Sequence, residues 1–453
     1  MPAEAISPER VAAIYQHESA QFHARRPRSA QLLTRARRHM PNGVPCAWMD
    51  GLYFHRPIFA SHGQGAHFQD VDGHRYLDMN QADLSMNGGY GAPALVQEVQ
   101  QRVARGTQFL LPVEDAIVVS ELLAQRYRHP FWQYTLSASA ANTEAIRIAR
   151  AYTGREQVLV FNGKYHGHID DTMAEKGCGP LGFTSDFSNK TVIVEFNDLE
   201  AVEHALKTGT VACILTEPAL TNSGVIQPEP GFLATLKSLC ASYGCLLVID
   251  ETHTQVCAWG GLSKAWDIDG DMITLGKTVA AGIPMGTYGM SRELGEFVAA
   301  HLETEDAADP RNAGGGLALG GTLYGNALSM AAARIALAEI MTPPAYEQTA
   351  RLGELLGQGL QQAFDRHRLP WRAQRLFNRS GYTFGPQHPA NASEFRRFHD
   401  PLLYNTMRVY YANRGVWESI SSAGPAASFV MTAADIEAYL AVVDAFLLEL
   451  TAG

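Results

Sequence analysis

Cys245-Leu246-Leu247-Val248-Ile249-Asp250-Glu251 is the stretch on which the reading of this chain turns. An unbroken apolar run of strand length, without alternation, marks a strand covered on both faces, as in a parallel sheet. The run stops on two carboxylates, so Asp250 stands at the strand's C-terminal end, where ligands collect in open α/β sheets. Two other stretches repeat the pattern. Val211-Ala212-Cys213-Ile214-Leu215-Thr216 leads into Glu217-Pro218, and Met272-Ile273-Thr274-Leu275 leads into Gly276-Lys277. Three strands thus bring Glu, Asp and Lys to one edge of a sheet.

An aspartate at one strand end and a lysine after the next suit the chemistry of pyridoxal phosphate. That cofactor needs an amine for covalent attachment and a carboxylate that keeps its pyridine nitrogen protonated. The released lysine then carries protons to and from the substrate. Taken alone, Asp250 and Lys277 fit a solvated ion pair at a loop equally well.

Composition narrows the class. At 453 residues the chain exceeds a single core, and two or more domains are expected. The expected ranges are 1–75 as a contribution to a small domain, 76–341 as a large cofactor-binding domain and 342–453 as a C-terminal small α+β domain. The net charge of −10 argues against a nucleic-acid partner. No apolar run reaches membrane-spanning length, and the start Met1-Pro2-Ala3-Glu4 lacks the basic and apolar segments of a signal peptide. The 6 cysteines (46, 178, 213, 240, 245, 257) form no Cys-x-x-Cys pair and several lie in apolar runs, so they read as reduced core thiols of a cytoplasmic protein with no metal site. The sequons at Asn189, Asn378 and Asn391 would then stay unmodified.

Residues 1–40 read as basic helix broken at Pro27, with Arg25, Arg26, Arg28, Arg35, Arg37 and Arg38 forming a solvated face, a subunit contact or a phosphate-binding arm. His67 to Asp78 reads as two strands about a Val71-Asp72-Gly73 turn. Helices are expected over 92–106, 114–127 and 433–450, and an Ala-rich one to about Met341. A strand near Tyr134 runs through Ser137-Ala138-Ser139 into an apolar-periodic helix, a seat for a phosphate at a helix N-terminus or an ordinary cap. Gln157-Val158-Leu159-Val160-Phe161 is a further strand, followed by Tyr165 and His166. From Val192 to Leu275 strands and helices alternate.

Taken together these pieces resemble the class III aminotransferases, and within them the glutamate-1-semialdehyde aminomutase branch. The resemblance runs over nearly the whole chain. It is carried by Ser137-Ala138-Ser139, Phe161-Asn162-Gly163-Lys164-Tyr165-His166-Gly167, Glu217-Pro218, Asp250-Glu251-Thr252, Gly276-Lys277 with Gly282-Ile283-Pro284-Met285-Gly286, and Gly321-Thr322-Leu323-Tyr324-Gly325-Asn326. It implies an α/β fold of fold-type I, with a mostly parallel seven-stranded sheet in the large domain. It also implies a pyridoxal-phosphate-dependent homodimer acting on an amino acid and a 2-oxo acid. On that resemblance Lys277 would hold the cofactor covalently, and Asp250 would pair with the pyridine nitrogen. Tyr165 and Thr252 would cover the two ring faces, and Asn222 would sit near the ring hydroxyl. Ser137, Ala138 and Ser139 would take the phosphate, and Thr322 would reach the phosphate of the neighbouring subunit. His253 would meet the ring hydroxyl or the substrate.

Departures from the family bear on substrate. The phosphate turn is usually Ser-Gly-Thr-Glu, whereas here Ala138 and Ala140 intervene, which spares the backbone donors. The aminomutases carry an Arg in an early Gly-Val-Asn-Ser-Pro-Val-Arg stretch and a Glu in a late Phe-Glu-Ala-Gly-Phe stretch. This chain has no Lys or Arg between His39 and His55, and no acid between Ser419 and Met431. Trp48 and Met49 occupy the early stretch, which favours an aromatic or apolar side chain in the substrate pocket, unless Trp48 is ordinary core. The resemblance further implies, within the branch, an aromatic D-amino acid, D-phenylglycine, as donor with 2-oxoglutarate as acceptor. An aromatic β-amino acid or the aminomutase reaction is the alternative. A silent regulator of the same fold is disfavoured by the presence of both Lys277 and Asp250. A dinucleotide-dependent dehydrogenase is disfavoured because no Gly-x-Gly-x-x-Gly follows a first strand.

Overall fold

Thirteen strands are found in the computed structural model, which describes residues 6–51, 55–174, 182–183, 189–303, 309, 316–418 and 423–452. In chain order they are β1 (Ala60–Gln64), β2 (His67–Asp70), β3 (Arg75–Asp78), β4 (Phe131–Thr135), β5 (Gln157–Phe161), β6 (Thr191–Val194), β7 (Val211–Thr216), β8 (Leu246–Asp250), β9 (Met272–Leu275), β10 (Gly286–Met290), β11 (Arg372–Leu376), β12 (Arg379–Thr383) and β13 (Val416–Trp417). Cys178 lies outside the described residues. The chain divides into two units. One takes Met1–Ala92, Glu347–His388 and Phe395–Gly453, and the other takes Pro93–Tyr346 and Pro389–Glu394.

The second unit holds a seven-stranded sheet in the order β4-β10-β9-β8-β7-β5-β6. All neighbours are parallel except β10, which runs antiparallel to both β4 and β9. Every residue of β7, β8 and β9 is buried, as their unbroken apolar runs require. Beneath them Ala141, Ala145, Ile148 and Ala149 of the helix Ala138–Thr153 pack with Val248 and Met272 in one core. Register then sets the edge. Thr216 pairs with Ile249 and Asp250 with Thr274, so Glu217, Asp250 and Lys277 all leave the sheet at its C-terminal side.

Strand β10 escaped the sequence reading because Gly-Thr-Tyr-Gly-Met is neither an apolar run nor an alternation. Its glycines are there for close approach. A Cβ on Gly289 would lie 2.8 Å from the Trp132 ring, and one on Gly286 would lie 2.2 Å from the Ser137 carbonyl. The Ala-rich helix also departs from expectation. It runs from Ala327 to Ile335 and continues as a π-helical turn, Ala336–Ile340, whose Leu337 carbonyl accepts a hydrogen bond from buried Arg126.

In the first unit β1, β2 and β3 form an antiparallel ribbon that β13 joins in parallel beside β3. The basic N-terminal stretch forms helices Pro8–Ala24 and Pro27–Ala36. Arg26, at the break, is core and not part of a solvated arm. It lies 3.6 Å over the Phe22 ring, donates to Tyr76 Oη at 2.9 Å and faces Asp70. The second helix has no cap of its own. Asp72 of the Val-Asp-Gly turn supplies one, accepting from the Arg28 and Ser29 N–H groups. Strand β12, Arg-Ser-Gly-Tyr-Thr, is buried throughout although no apolar pattern marks it. The sequon residue Asn378 is buried just before it, its amide donating to the Ala427 carbonyl.

Candidate active site

The C-terminal edge of the seven-stranded sheet gathers a connected group of polar side chains around Asp250. Its carboxylate, 2% exposed, accepts three hydrogen bonds. Thr252 N–H meets Oδ1 at 2.9 Å, while His166 Nδ1 and Asn142 Nδ2 meet Oδ2 at 2.8 and 2.9 Å. Asn142 is held in turn by the Thr274 hydroxyl, which donates to its Oδ1 at 2.7 Å. Burial pushes the Asp250 carboxyl upward, but His166, Thr252 and Asn142 together hold it below the ordinary range. It is therefore a buried, ionised carboxylate with three donors on about four lone-pair sites. One site is left for a further donor, such as a pyridinium N–H.

Lys277 stands where β9 turns away. Gly276 opens a short 3-10 turn, Lys277–Ala280, and Lys277 itself has φ 50°. A non-glycine residue in the left-handed region costs about 1–2 kcal/mol, and such residues collect at functional sites. Gln255 clamps the turn. Its amide donates to the Gly276 carbonyl at 2.9 Å and to the Thr252 carbonyl at 3.1 Å, tying the β8 turn to the β9 turn. Lys277 Nζ meets His253 Nε2, and His253 Nδ1 meets Thr221 Oγ1 at 2.6 Å. Thr221 donates to Glu217 Oε2 at 2.5 Å. Burial pushes the Glu217 carboxyl up, with His166 and Thr221 opposing.

Across the same edge, Ser137 caps the helix Ala138–Thr153, its hydroxyl accepting from Ala140 N at 3.2 Å. The first helical bond is made by Ala141 N, so the N–H groups of Ala138 and Ser139 lie outside the ladder. Backbone crowds this turn. A Cβ on Gly276 would lie 2.8 Å from Ala138 Cβ, and one on Gly167 would lie 2.1 Å from Ser139 Oγ. Those glycines keep the turn open at a helix N-terminus, which suits an anion.

Residues 52–371 match the family Aminotransferase class-III. The chain belongs to the class III aminotransferases. It is similar in fold to a glutamate-1-semialdehyde aminomutase from Pseudomonas aeruginosa PAO1, at TM-score 0.92 and 34% identity over 98% of this chain and 99% of that one. It is also similar to a β-phenylalanine aminotransferase from Variovorax paradoxus (TM-score 0.86, 25% identity, 96% and 97% covered). A third solved structure, an omega-transaminase from Sphaerobacter thermophilus, gives TM-score 0.83 and 25% identity, with 94% and 98% covered. This aminotransferase accordingly has the fold-type I architecture and is a pyridoxal-phosphate-dependent transaminase.

The residues present fit that cofactor. Asn222 Nδ2, Thr252 Oγ1 and His166 Nε2 are buried without a hydrogen-bond partner among the described residues, polar atoms of the kind a bound group satisfies. The structure groups Asp250, Thr252, His253 and Lys277 in one network, with Tyr165 joined to it through its N–H on Glu217 Oε1 at 3.2 Å. Thr322 makes no hydrogen bond to this network among the described residues. It is exposed, and its carbonyl accepts from Gln108. Trp48 and Met49 belong to the first unit, on the short helix Trp48–Gly51, and are 49% and 43% exposed, which excludes the core role for Trp48 within its own unit.

Sequence reasoning passed over Asn142, Thr221 and Gln255, and left His166 without a role. Asn142 did carry a signal, as an amide on the apolar face of a helix, where an unpaired polar group would be costly. Thr221 and Gln255 carried none.

Proposed function

We propose that this aminotransferase moves the amino group of an aromatic D-amino acid, D-phenylglycine, to 2-oxoglutarate, giving benzoylformate and L-glutamate. Lys277 attaches the cofactor and moves the proton at the substrate Cα, and Asp250 pairs with the pyridine nitrogen. Tyr165 and Thr252 cover the ring, Asn222 and His253 meet its hydroxyl side, and the N–H groups at Ser137, Ala138 and Ser139 hold the phosphate. The cofactor supplies the electron sink for the substrate carbanion. Lys277 works from one side, so donor and product must both present Cα–H to it. A D-donor and an L-product then exchange the slots of carboxylate and side chain, which a flat phenyl ring and a flat carboxylate permit.

The observation that supports an aromatic donor is the exchange of an early Arg and a late Glu for Trp48, Met49 and the uncharged Pro425-Ala426-Ala427-Ser428-Phe429, with Trp48 exposed and not spent in its own unit's core; the D-configuration and the acceptor come with the resemblance. The aminomutase reaction would need those charges. The likeness to the Variovorax β-phenylalanine aminotransferase favours an aromatic β-amino donor as the second reading. We further read the enzyme as a cytoplasmic homodimer in which Thr322 completes the partner's phosphate site. The support is an apolar surface at the Gln108–Thr322 contact, where Phe109, Leu110, Leu111 and Leu323 are 46%, 74%, 71% and 51% exposed. Among the described residues no helix is long and apolar enough to cross a membrane.

Half-reaction titrations test the substrate. Trp48→Ala should weaken D-phenylglycine by about 1–3 kcal/mol and 2-oxoglutarate less. Equal losses in both, or a wild-type preference for L- or β-amino donors, would overturn the substrate assignment.

A further inference from the structure

We propose that Gln81 is a positioning residue for substrate choice. From a left-handed turn it holds Ala426, and with it the uncharged stretch Pro425-Ala426-Ala427-Ser428-Phe429. This rests on the reading of that stretch as part of the substrate pocket. Four consecutive non-glycine residues, Gln81, Ala82, Asp83 and Leu84, have φ of 50°, 49°, 56° and 67°. L-residues enter the left-handed region singly and at a cost, and such backbone persists only where its surroundings over-determine it. Here they do. Asp78 accepts from the Asn80, Gln81 and Ala82 N–H groups, while the Asn80 and Gln81 carbonyls accept from Leu84 and Met86 N–H at 2.7 and 2.9 Å.

The turn spends the backbone of Gln81 on itself. Its N–H goes to Asp78 and its carbonyl to Met86, so only the side chain is left to reach a neighbour. The Gln81 amide donates to the Ala426 carbonyl, and Ala426 N–H donates to the Met79 carbonyl at 2.8 Å. A carbonyl can only accept, so the amide has one orientation. Ala426 is thus paired on this edge by a main-chain group and a side-chain amide, where a strand would use main chain alone. Beside it the Asn80 amide reaches the Gly424 carbonyl at 3.0 Å. On the other edge Ser380 N–H donates to the Pro425 carbonyl at 2.9 Å, and Asn378 exchanges two bonds with Ala427.

Stability alone does not account for a glutamine at this position. Gln81 is 2% exposed, and its Oε1 is buried without a hydrogen-bond partner among the described residues. An unsatisfied buried oxygen is a cost that an apolar side chain of the same length would not carry. What the glutamine adds is a fixed place for Ala426. In a pocket that sorts side chains by size, a wall that shifts loses discrimination while the chemistry at the sheet edge is untouched.

The test uses the full holoenzyme. The ratio of kcat/KM for D-phenylglycine to that for D-alanine measures discrimination and cancels any pH dependence common to both donors. Gln81→Met keeps the length and removes the donor together with the unsatisfied oxygen. Its ratio should fall about tenfold, through a higher KM for D-phenylglycine with kcat within about threefold of wild type. That kcat also shows the variant to be folded. In Gln81→Glu burial keeps the carboxyl protonated at about pH 5, where it still donates to Ala426, so the wild-type ratio should return there. A merely structural clamp would lower urea midpoints and scale both donors alike.

A ratio for Gln81→Met within about twofold of wild type would overturn the proposal, as would a ratio for Gln81→Glu that stays low in acid. Phe429→Ala, at the half-buried end of the stretch, separates this from the reading beneath it. A ratio moved by Phe429→Ala and not by Gln81→Met removes only the role of Gln81, whereas a ratio moved by neither removes the stretch from the pocket. A wild type without preference for D-phenylglycine takes the substrate reading and the proposal together.

Discussion

Each of the two units closes a strand on a buried aspartate. Asp78 ends β3 and Asp250 ends β8, each 2% exposed, and each Oδ1 accepts the N–H two residues on, from Asn80 at 3.0 Å and from Thr252 at 2.9 Å. Beyond that they part. Asp78 gathers the Gln81 and Ala82 N–H groups and the Tyr90 hydroxyl, all neutral donors, and burial still leaves its carboxyl above the ordinary range. Asp250 has fewer backbone donors, yet it is held below that range against the same burial, His166 being the largest opposing influence. Several neutral donors do not offset desolvation at Asp78, whereas His166, Thr252 and Asn142 together do at Asp250. One aspartate organises a loop, and the other is kept charged.

Substituting each aspartate gives the largest contrast. Asp250→Asn should retain the cofactor and lose roughly 10²–10³-fold or more in turnover, because a carboxylate that stabilises developing charge acts in the rate-determining chemistry. Asp78→Asn should leave the turnover of the folded enzyme within about twofold and destabilise it by about 1–3 kcal/mol, since an amide NH₂ then faces N–H donors. Single-turnover rates and urea melts measure the pair. Equal losses of turnover would dissolve the distinction.

A single change should make Asp250 behave like Asp78. His166→Phe removes the partner that holds the carboxyl low, so the acid limb of kcat/KM should move to higher pH, with about a tenfold loss of rate on that limb. An unmoved limb would mean His166 does not set the charge of Asp250.

Stability against pH sharpens the same point with a smaller effect. The folded value of Asp250 is depressed, so its contribution is present above the unfolded value of about 3.9 and is lost as pH falls through the folded value. The folded value of Asp78 is raised, so its contribution is present below about 3.9 and is lost as pH rises through the folded value. Each unit of difference is worth about 1.4 kcal/mol. Urea midpoints from pH 3 to 7 should therefore decline less in acid for Asp250→Asn, and less toward neutrality for Asp78→Asn. Parallel curves for the two variants would contradict the opposite signs. The smallest effect is expected at Thr252, whose buried hydroxyl lacks a partner among the described residues. Thr252→Val in the cofactor-free protein should be neutral or stabilising by up to about 1 kcal/mol, and a clear loss in urea melts would reveal a partner for that hydroxyl.

Much of this architecture is legible in the order of the amino acids. The strands β7, β8 and β9 announce themselves because a strand covered on both faces must be apolar at every position. Asp250, Lys277 and the Ser137 turn are legible because each follows a strand with the right residue type. Strands β10 and β12 are not, since glycine and polar residues there answer to neighbours that the local sequence does not contain.

What the sequence determined by itself was Asp250, Lys277, the Ser137 turn and the sheet edge that collects them, because an unbroken apolar run and the residue that ends it are written locally. Only the tertiary structure decided their charge states and partners. His166 and Asn142 reach Asp250 across 84 and 108 residues, and His253 reaches Lys277 across 24. Hydrogen bonding and desolvation act over a few ångströms of space, and no spacing along the chain encodes which distant residues will share them.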